Sequence, residues 1–373
     1  MKKILFLTGT RADFGKIKSL ISILDRHQDF EVFVFVTGMH LQKEYGYTLI
    51  EIERCNFSNV HTFENHTHET TMDLTLAKTI EGLSSYCKEL HPDMIVVHGD
   101  RVETLAGAIV GSLNNILVAH IEGGELSGTV DELLRHSVSK LSHIHFVSNK
   151  EAKKRLIQMG ELRESVFTIG SPDVDIMFSN QLPTLAAVKN HYEIPFEYYA
   201  VVMFHPVTTE FNEMEHYADA IVNALLEDHH NYVVVYPNND LGSQHIINKY
   251  AKLKDNLRFR VFPSLRFEYF LTLLKNAQFI IGNSSAGVRE APYYCIPVIN
   301  IGTRQQNRVL NADIVNVGYE QVAITKALVE IGKHQPEVSL NNFGKGNSAE
   351  LFLESLQKPD IWNINHQKQF RDS

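Results

Sequence analysis

The sequence predicts an α/β protein built from two Rossmann-like, doubly wound parallel-sheet halves. Three observations carry this reading. Short β-branched and aromatic runs recur that are almost continuously apolar, as strands buried on both faces must be. Each run ends in Gly, Asn, Asp or His and gives way to a helical pattern, which is βαβ alternation. The rhythm then stops at a polar, proline-containing passage over residues 171–198 and starts again.

Taken in order, strands are expected over residues 4–8, 32–37, 94–98, 117–121, 145–147 and 166–169, with crossover helices such as 16–26 and 102–113. After the passage they are expected over 199–204, 232–236, 259–262, 279–281 and 297–301. The end of the chain reads as a helix over 349–356 and then a polar stretch from Pro359. The 373 residues suffice for two ordinary domains, and 44% hydrophobic with 21% charged residues is close to the globular average.

A formal charge of −9 gives no global positive field, so nucleic acid and membranes are not expected partners and any phosphate must be held by local Arg and Lys. The N-terminal stretch MKKILFLTGTRADFGK is too short and too soon interrupted for a signal peptide or a span, and no later run reaches about 18 apolar residues. A cytoplasmic location is the expectation. Cys55, Cys87 and Cys295 form no CxxC pair and read as reduced packing thiols.

In open parallel sheets, ligands gather at the carboxyl ends of the strands, and a cleft between two such halves suits a large polar substrate. After the first strand, Gly9 to Lys16 offers backbone N–H groups with Arg11 and Lys16, a possible phosphate cradle; a βα turn with solvated cations is the plainer alternative. It is not a Walker A loop, since the glycine spacing is one residue too long and Ile17 stands where Ser or Thr would bind magnesium. No G-x-G-x-x-G fingerprint is present here, which argues against a tightly held NAD.

Asp100 and Glu122, each beside glycine at the ends of neighbouring strands, are placed for acid/base work. On the following helix, Ser127 or Thr129 can cap, Asp131 and Glu132 meet the dipole, and Asp131 with Arg135 at i, i+4 fits a structural ion pair. In the second half, the segment Gly282-Asn283-Ser284-Ser285-Ala286-Gly287, running from a strand into a helix, offers a diphosphate seat; a capped helix with surface arginines is the plainer alternative. Glu290, one turn into that helix, suits a ribose diol, and Arg304 and Arg308 add cations. His66-Thr67-His68-Glu69 has neither helical spacing nor a strand anchor, so a polar loop is expected there and no metal site.

Together, HGDR, HIEGGE-x-SGT-x-D, RH, HPVTT, PNND, GNSS-x-GVRE and GTRQ, in this order from Thr8 to Arg308, resemble the UDP-N-acetylglucosamine 2-epimerase family, most closely its hydrolysing branch. The resemblance implies a B-type glycosyltransferase-like fold. Its first domain would span 1–178, its second 179–354, and the tail from about 355 to 373 would cross back to the first, with the nucleotide-sugar in the cleft between them.

It also implies catalytic roles for Asp100, Glu122, Asp131 and His205. Substrate or nucleotide contacts would fall to Arg11, Lys16, His40, Arg101, Arg135, Asp175, Asn238, Ser284, Ser285, Gly287, Glu290 and Arg304. UDP-N-acetylglucosamine and water would give N-acetylmannosamine and UDP, the first step of sialic acid biosynthesis, with no cofactor and in a homodimer or homotetramer. The alternatives are a diacetamido-trideoxy sugar donor, the non-hydrolysing branch, a glycosyltransferase, or a sensor without turnover. Glu132 departs from the pattern, standing where some relatives carry a second Asp.

Overall fold

A computed structural model describes residues 1–66, 71–127, 130–180, 182–305, 314–333, 336 and 343–369. The chain divides into two compact units: Met1–Glu125, Asp131–Ser179 and Asn342–Ser373 in the first, Leu126–Val130 and Asn180–Asn341 in the second.

In the first unit the strands are β1 (Lys2–Thr8), β2 (Phe30–Val36), β3 (Val60–Thr62), β4 (Met94–His98), β5 (Leu117–Ile121), β6 (Ile144–Val147) and β7 (Val166–Thr168). The helices are α1 (Arg11–Asp25), α2 (Leu49–Glu53), α3 (Met72–Leu90), α4 (Val102–Leu113), α5 (Val130–Leu141), α6 (Lys150–Gln158) and α7 (Pro172–Met177). All seven strands are parallel, in the order β3-β2-β1-β4-β5-β6-β7, so the order reverses between β1 and β4.

Successive side chains alternate between two cores, because a pleated strand turns each residue to the opposite face. Ile4, Phe6, Val34, Val96 and Phe146 pack under Ile17, Leu20 and Leu24 of α1. Leu5, Leu7, Phe35, Ile95 and Val97 pack under Leu83 and Cys87 of α3 and Val110 of α4. Burial pushes the Cys87 thiol up to about 12, so it stays a neutral packing group.

The second unit contains α8 (Leu185–His191), β8 (Ala200–Met203), α9 (Met214–Glu227), β9 (Tyr232–Val235), α10 (Ser243–Tyr250), β10 (Phe259–Phe262), α11 (Phe267–Lys275), β11 (Ile280–Gly282), α12 (Glu290–Tyr293), β12 (Val298–Ile301), β13 (Ile314–Val317) and α13 (Gln321–Glu330). Its six parallel strands run β10-β9-β8-β11-β12-β13, with the reversal between β8 and β11. Val202, Val234, Ile281 and Ile299 pack against Ile221 and Leu225 of α9 and Ile324 and Leu328 of α13.

The last helix, α14 (Ser348–Leu356), returns to the first unit, where Phe352 meets Phe146 edge-on at 4.7 Å between ring centroids. The whole segment from Asn342 belongs there, a dozen or so residues earlier than the tail expected from about 355. Phe352 and Leu356 are fully buried in the first core, and such apolar side chains fix where the segment belongs.

Three further features differ from expectation. The edge strands β3 and β13 are present although their sequences carry no continuous apolar run, and both are partly exposed. The expected helix after β11 is instead a 3-10 turn over Ser285–Gly287 followed by the four-residue α12. Pro292, inside α12, has no N–H for a helical bond, which keeps the element short.

Candidate active site

In the first unit the carboxyl ends of β4 and β5 are adjacent, since His98 lies opposite Ile121 in the ladder. Glu122 follows directly. It is buried and holds a left-handed backbone, φ +63°, which for a non-glycine residue costs on the order of 1 kcal/mol and must be imposed by its surroundings.

Those surroundings are specific. The Glu122 N–H donates to the Phe146 carbonyl at 2.8 Å, and its own carbonyl accepts from Arg135 Nη1 at 2.6 Å. Glu122 Oε2 lies 3.2 Å from His98 Nε2, and Oε1 accepts the Ser171 hydroxyl. The other arm of the buried Arg135 guanidinium pairs with Asp100 Oδ2. One guanidinium therefore ties two carboxylate-bearing loops together. Arg135 and Asp100 meet because the end of β4 brings Asp100 over the helix, a pairing that local spacing along α5 does not reveal. Asp131 stands one turn ahead of Arg135 on α5, partly buried; Thr129 lies outside the described residues.

The turn after β1 is satisfied internally. Asp13 Oδ2 accepts from the N–H of Gly9 at 2.8 Å, the N–H of Thr10 at 3.2 Å and the Thr8 hydroxyl at 3.0 Å, while Thr10 caps α1 by accepting from the Asp13 N–H. The expected phosphate cradle is thus filled by the protein's own carboxylate. Burial pushes the Asp13 carboxyl up, against the opposing pull of His98 and these donors. Lys16 Nζ is 3.1 Å from Asp173 Oδ2 and Arg11 Nη2 is 3.8 Å from Glu51 Oε1, so both cations already face carboxylates. Arg101 Nε lies 3.8 Å from Glu103, a buried acid that the sequence reading passed over.

Two expected contact residues have other partners. His40 is fully buried, its ring bridging the Thr8 and Thr48 hydroxyls at 3.1 and 2.7 Å; burial, reinforced by Arg11, lowers it to about 3 and keeps it neutral. Asp175 accepts at 2.8 Å from the N–H groups of both Ser348 and Ala349, and so caps α14.

In the second unit, His205 follows β8. Its Nδ1 accepts from the Asn238 N–H at 3.0 Å, which leaves the proton of a neutral ring on Nε2 as a donor. Asn283, just past β11, fixes this residue by exchanging bonds with the His205 backbone at 2.7 and 2.8 Å. Gly282 permits that approach: at φ +139° a Cβ would stand 2.0 Å from the Met203 carbonyl oxygen.

Ser284 caps the 3-10 turn containing Ser285 and Gly287, and Glu290 opens α12 rather than lying a turn into it; it is buried. Arg304 Nη1 and Gln305 Nε2 reach the Asn283 carbonyl at 3.4 and 2.8 Å, which places Arg304 beside the Ser-Ser turn. The Asn238 side chain donates to Asp240 Oδ2 at 2.5 Å. Arg308 lies outside the described residues.

The sequence reading gave no role of their own to His98, Asn283 and Gln305, which it met only inside motifs, and it missed Ser171. The signal available for His98, Ser171 and Asn283 was position alone, at or just past a strand end. Of the His66–Glu69 segment, only His66 is described. Among the described residues, Asp228, His229 and His230 lie close enough to share a cation, but Asp228 Oδ2 already accepts from the His230 N–H, its Nδ1 and the Tyr232 hydroxyl at 2.8, 2.7 and 2.6 Å.

Two parallel-sheet α/β units with acids at the strand ends of one and a hydroxyl-rich turn at those of the other define a class, the B-type glycosyltransferase-like proteins. Within it, residues 22–357 match the family model described as UDP-N-acetylglucosamine 2-epimerase, and the chain belongs to that family. It is 48% identical over 375 residues to the UDP-N-acetylglucosamine 2-epimerase of Neisseria meningitidis serogroup B, covering 100% of this chain and 99% of that one. It is 34% identical to polysialic acid biosynthesis protein P7 of Escherichia coli, covering 88% of this chain and 85% of that one. The UDP-N,N'-diacetylbacillosamine 2-epimerase (hydrolyzing) of Legionella pneumophila is 32% identical, with 96% of each chain covered.

Among solved structures, a Neisseria meningitidis UDP-GlcNAc 2-epimerase bound to UDP-GlcNAc superposes with a TM-score of 0.79 at 19% identity, covering 95% of this chain and 99% of that one. The Methanocaldococcus jannaschii UDP-GlcNAc 2-epimerase in complex with UDP-GlcNAc and UDP gives 0.80 at 23%, with the same coverage. At these identities it is the fold that is shared.

Proposed function

We propose that the protein is a hydrolysing UDP-N-acetylglucosamine 2-epimerase, converting UDP-N-acetylglucosamine and water to N-acetylmannosamine and UDP at the entry to sialic acid biosynthesis. The observation that carries the chemistry is Glu122, held in a left-handed backbone with its carboxylate gripped by His98 and Ser171 and its carbonyl tied through Arg135 to Asp100. The similarity to the Neisseria and polysialic acid proteins supports the substrate and the pathway.

The residue types fit the reaction. The proton on C2 of the sugar is weakly acidic, whereas UDP is a good leaving group, so cleavage of the C1–O bond leads. As C1 becomes electron-poor, a carboxylate removes the C2 proton, the electron pair forms the C1–C2 double bond, and UDP departs from 2-acetamidoglucal. Water then adds at C1 while a proton is delivered to the opposite face of C2. Asp100, Glu122 and Asp131 divide the two proton transfers. His205, with its Nε2 proton, together with Arg11 and Arg304, meets charge developing on the departing diphosphate, and Ser284, Ser285 and Gly287 form its seat. Glu290 accepts from the ribose diol. Lys16, Arg101 and Asn238 complete the contacts, and His40 and Asp175 act by holding loops.

The test is to incubate the protein with UDP-N-acetylglucosamine alone in D₂O and follow sugar and nucleotide by NMR. The reading requires free UDP and N-acetylmannosamine deuterated at C2. Release of unlabelled sugar, recovery of the gluco sugar, or intact UDP-N-acetylmannosamine would each overturn it. The similarity to the Legionella protein supports a second reading, the same chemistry on a UDP-diacetamido sugar, and that donor run in parallel separates the two.

A further inference from the structure

Ser171 occupies the N-cap position of α7, where a serine hydroxyl normally accepts a hydrogen bond from the helix, a contact worth about 1 kcal/mol. Here that cap bond is not made, and the hydroxyl is donated to Glu122 Oε1, on a residue 49 positions away in the chain. A side chain that gives up its local bond for a distant carboxylate marks a functional constraint.

Its geometry is also imposed from outside α7. The Ser171 N–H donates to the Phe343 carbonyl at 2.5 Å, on the segment that returns from the second unit to α14. The two segments cross at glycines: a Cβ on Gly170 would lie 3.0 Å from the Gly344 Cα, and one on Gly344 would lie 2.8 Å from the Gly170 Cα. Asp175, one turn along α7, then caps α14 through Ser348 and Ala349.

We propose that Ser171 is a positioning residue that keeps Glu122 ionised and correctly aimed, and that the crossing at Phe343 and Gly344 holds Ser171 in place for that task. This rests on the reading that Glu122 transfers a proton. A hydroxyl donating to a carboxylate favours its charged form, so Ser171 readies Glu122 as a base, with His98 Nε2 at the other oxygen. Arg135 on α5 holds the Glu122 carbonyl and pairs with Asp100; Asp13 on α1 acts on His98 through its charge, and Lys16 on α1 pairs with Asp173, two residues along α7 from Ser171.

The experiment compares wild type, Ser171→Ala, Ser171→Cys and Glu122→Gln for the pH dependence of kcat/KM and for UDP affinity by calorimetry. Loss of one donor to a charged group should move the acid limb of Ser171→Ala upward by roughly one pH unit. The loss of kcat/KM is then about tenfold on that limb, with KM and UDP affinity near wild type. Ser171→Cys, nearly isosteric but a weak donor, should fall between the two and gives the answer if the alanine variant does not fold. An acid limb that stays in place in the folded variants while Glu122→Gln is inactive overturns the proposal and leaves the proposed function standing. A Glu122→Gln enzyme with near-normal turnover overturns the role of Glu122, and the proposal with it.

Discussion

Glu122 shows how much of the site was legible residue by residue. Its acid, its neighbouring glycines and its place after an apolar run were visible in the sequence, as they were for Asp100. What held them was not, because His98 is 24 residues from Glu122 and Ser171 is 49, and contacts at that separation exist only once the sheet is assembled. The same limit hid the pairing of Arg135 with Asp100, 35 residues away. Substituting Asp100→Asn or Glu122→Gln should lower turnover by about 10²- to 10⁴-fold while UDP binding, followed by calorimetry, persists.

Buried histidines set the acid response. His40 and His120 are both lowered to about 3 by burial, so each is neutral in the folded chain at pH 6.5, the value near which an exposed imidazole gains a proton. Below that the unfolded chain binds protons that the folded chain refuses, so stability should decline from about pH 6.5 toward about pH 3, by up to several kcal/mol per histidine. Denaturant midpoints measured across that window should show the slope, and His120→Gln should reduce it; a midpoint flat between these limits would show that neither ring is buried uncharged. At Gly282, Ala should destabilise by roughly 2–4 kcal/mol, since a methyl cannot share space with the Met203 carbonyl, and a melting curve would read the effect directly.

At the scale of elements, strands with an apolar run were readable, the edge strands β7 and β10 included, and the edge strands β3 and β13 were not. β4 and β5 lie where the apolar runs place them, because a strand buried on both faces leaves little room for polar residues. β3, with the sequence Val-His-Thr, is half in water and owes its existence to pairing with β2, a tertiary cause that leaves little trace in composition.

The polar tail is a comparable case. Lys368 reaches the Ser142 carbonyl at 2.6 Å and Glu161 Oε2 at 2.5 Å, the His366 carbonyl accepts from His143 Nε2 at 3.0 Å while His366 Nδ1 donates to the Asn115 carbonyl at 2.6 Å, and Glu161 also meets the buried His145 at 3.0 Å. Burial alone would raise the Glu161 carboxyl. The hydrogen bond and charge of His145, with those of Lys368, overcome this and hold it at about 2, while burial lowers Lys368 itself. The stabilisation therefore comes through the carboxylate. It is fully present above the ordinary value of 4.5 and is lost as pH falls toward about 2. Lys368→Met should cost about 1–3 kcal/mol and move the acid unfolding transition to higher pH, as circular dichroism would report.

For the whole molecule, the fold class read from alternating runs is the one found, and the family named by its ordered motifs is the one the chain belongs to. No helix of the described residues is long and apolar enough to cross a membrane. The turn chemistry was harder to read than the architecture: in the Gly9 turn the N–H groups of Gly9 and Thr10 are taken by Asp13, and the Ser-Ser turn is a short 3-10 turn and not the start of a regular helix.

The return of α14 also matters for synthesis on the ribosome. Everything needed for the second sheet, β8 to β13, has been translated while the first still lacks Phe352 and Leu356. Folding in order of emergence is therefore inverted: the later-made half can close first, and the earlier-made half waits with part of its interior open. Stalled nascent chains ending at residue 341 should yield a protease-resistant fragment from the later half only, and release of the remaining 32 residues should protect the earlier one.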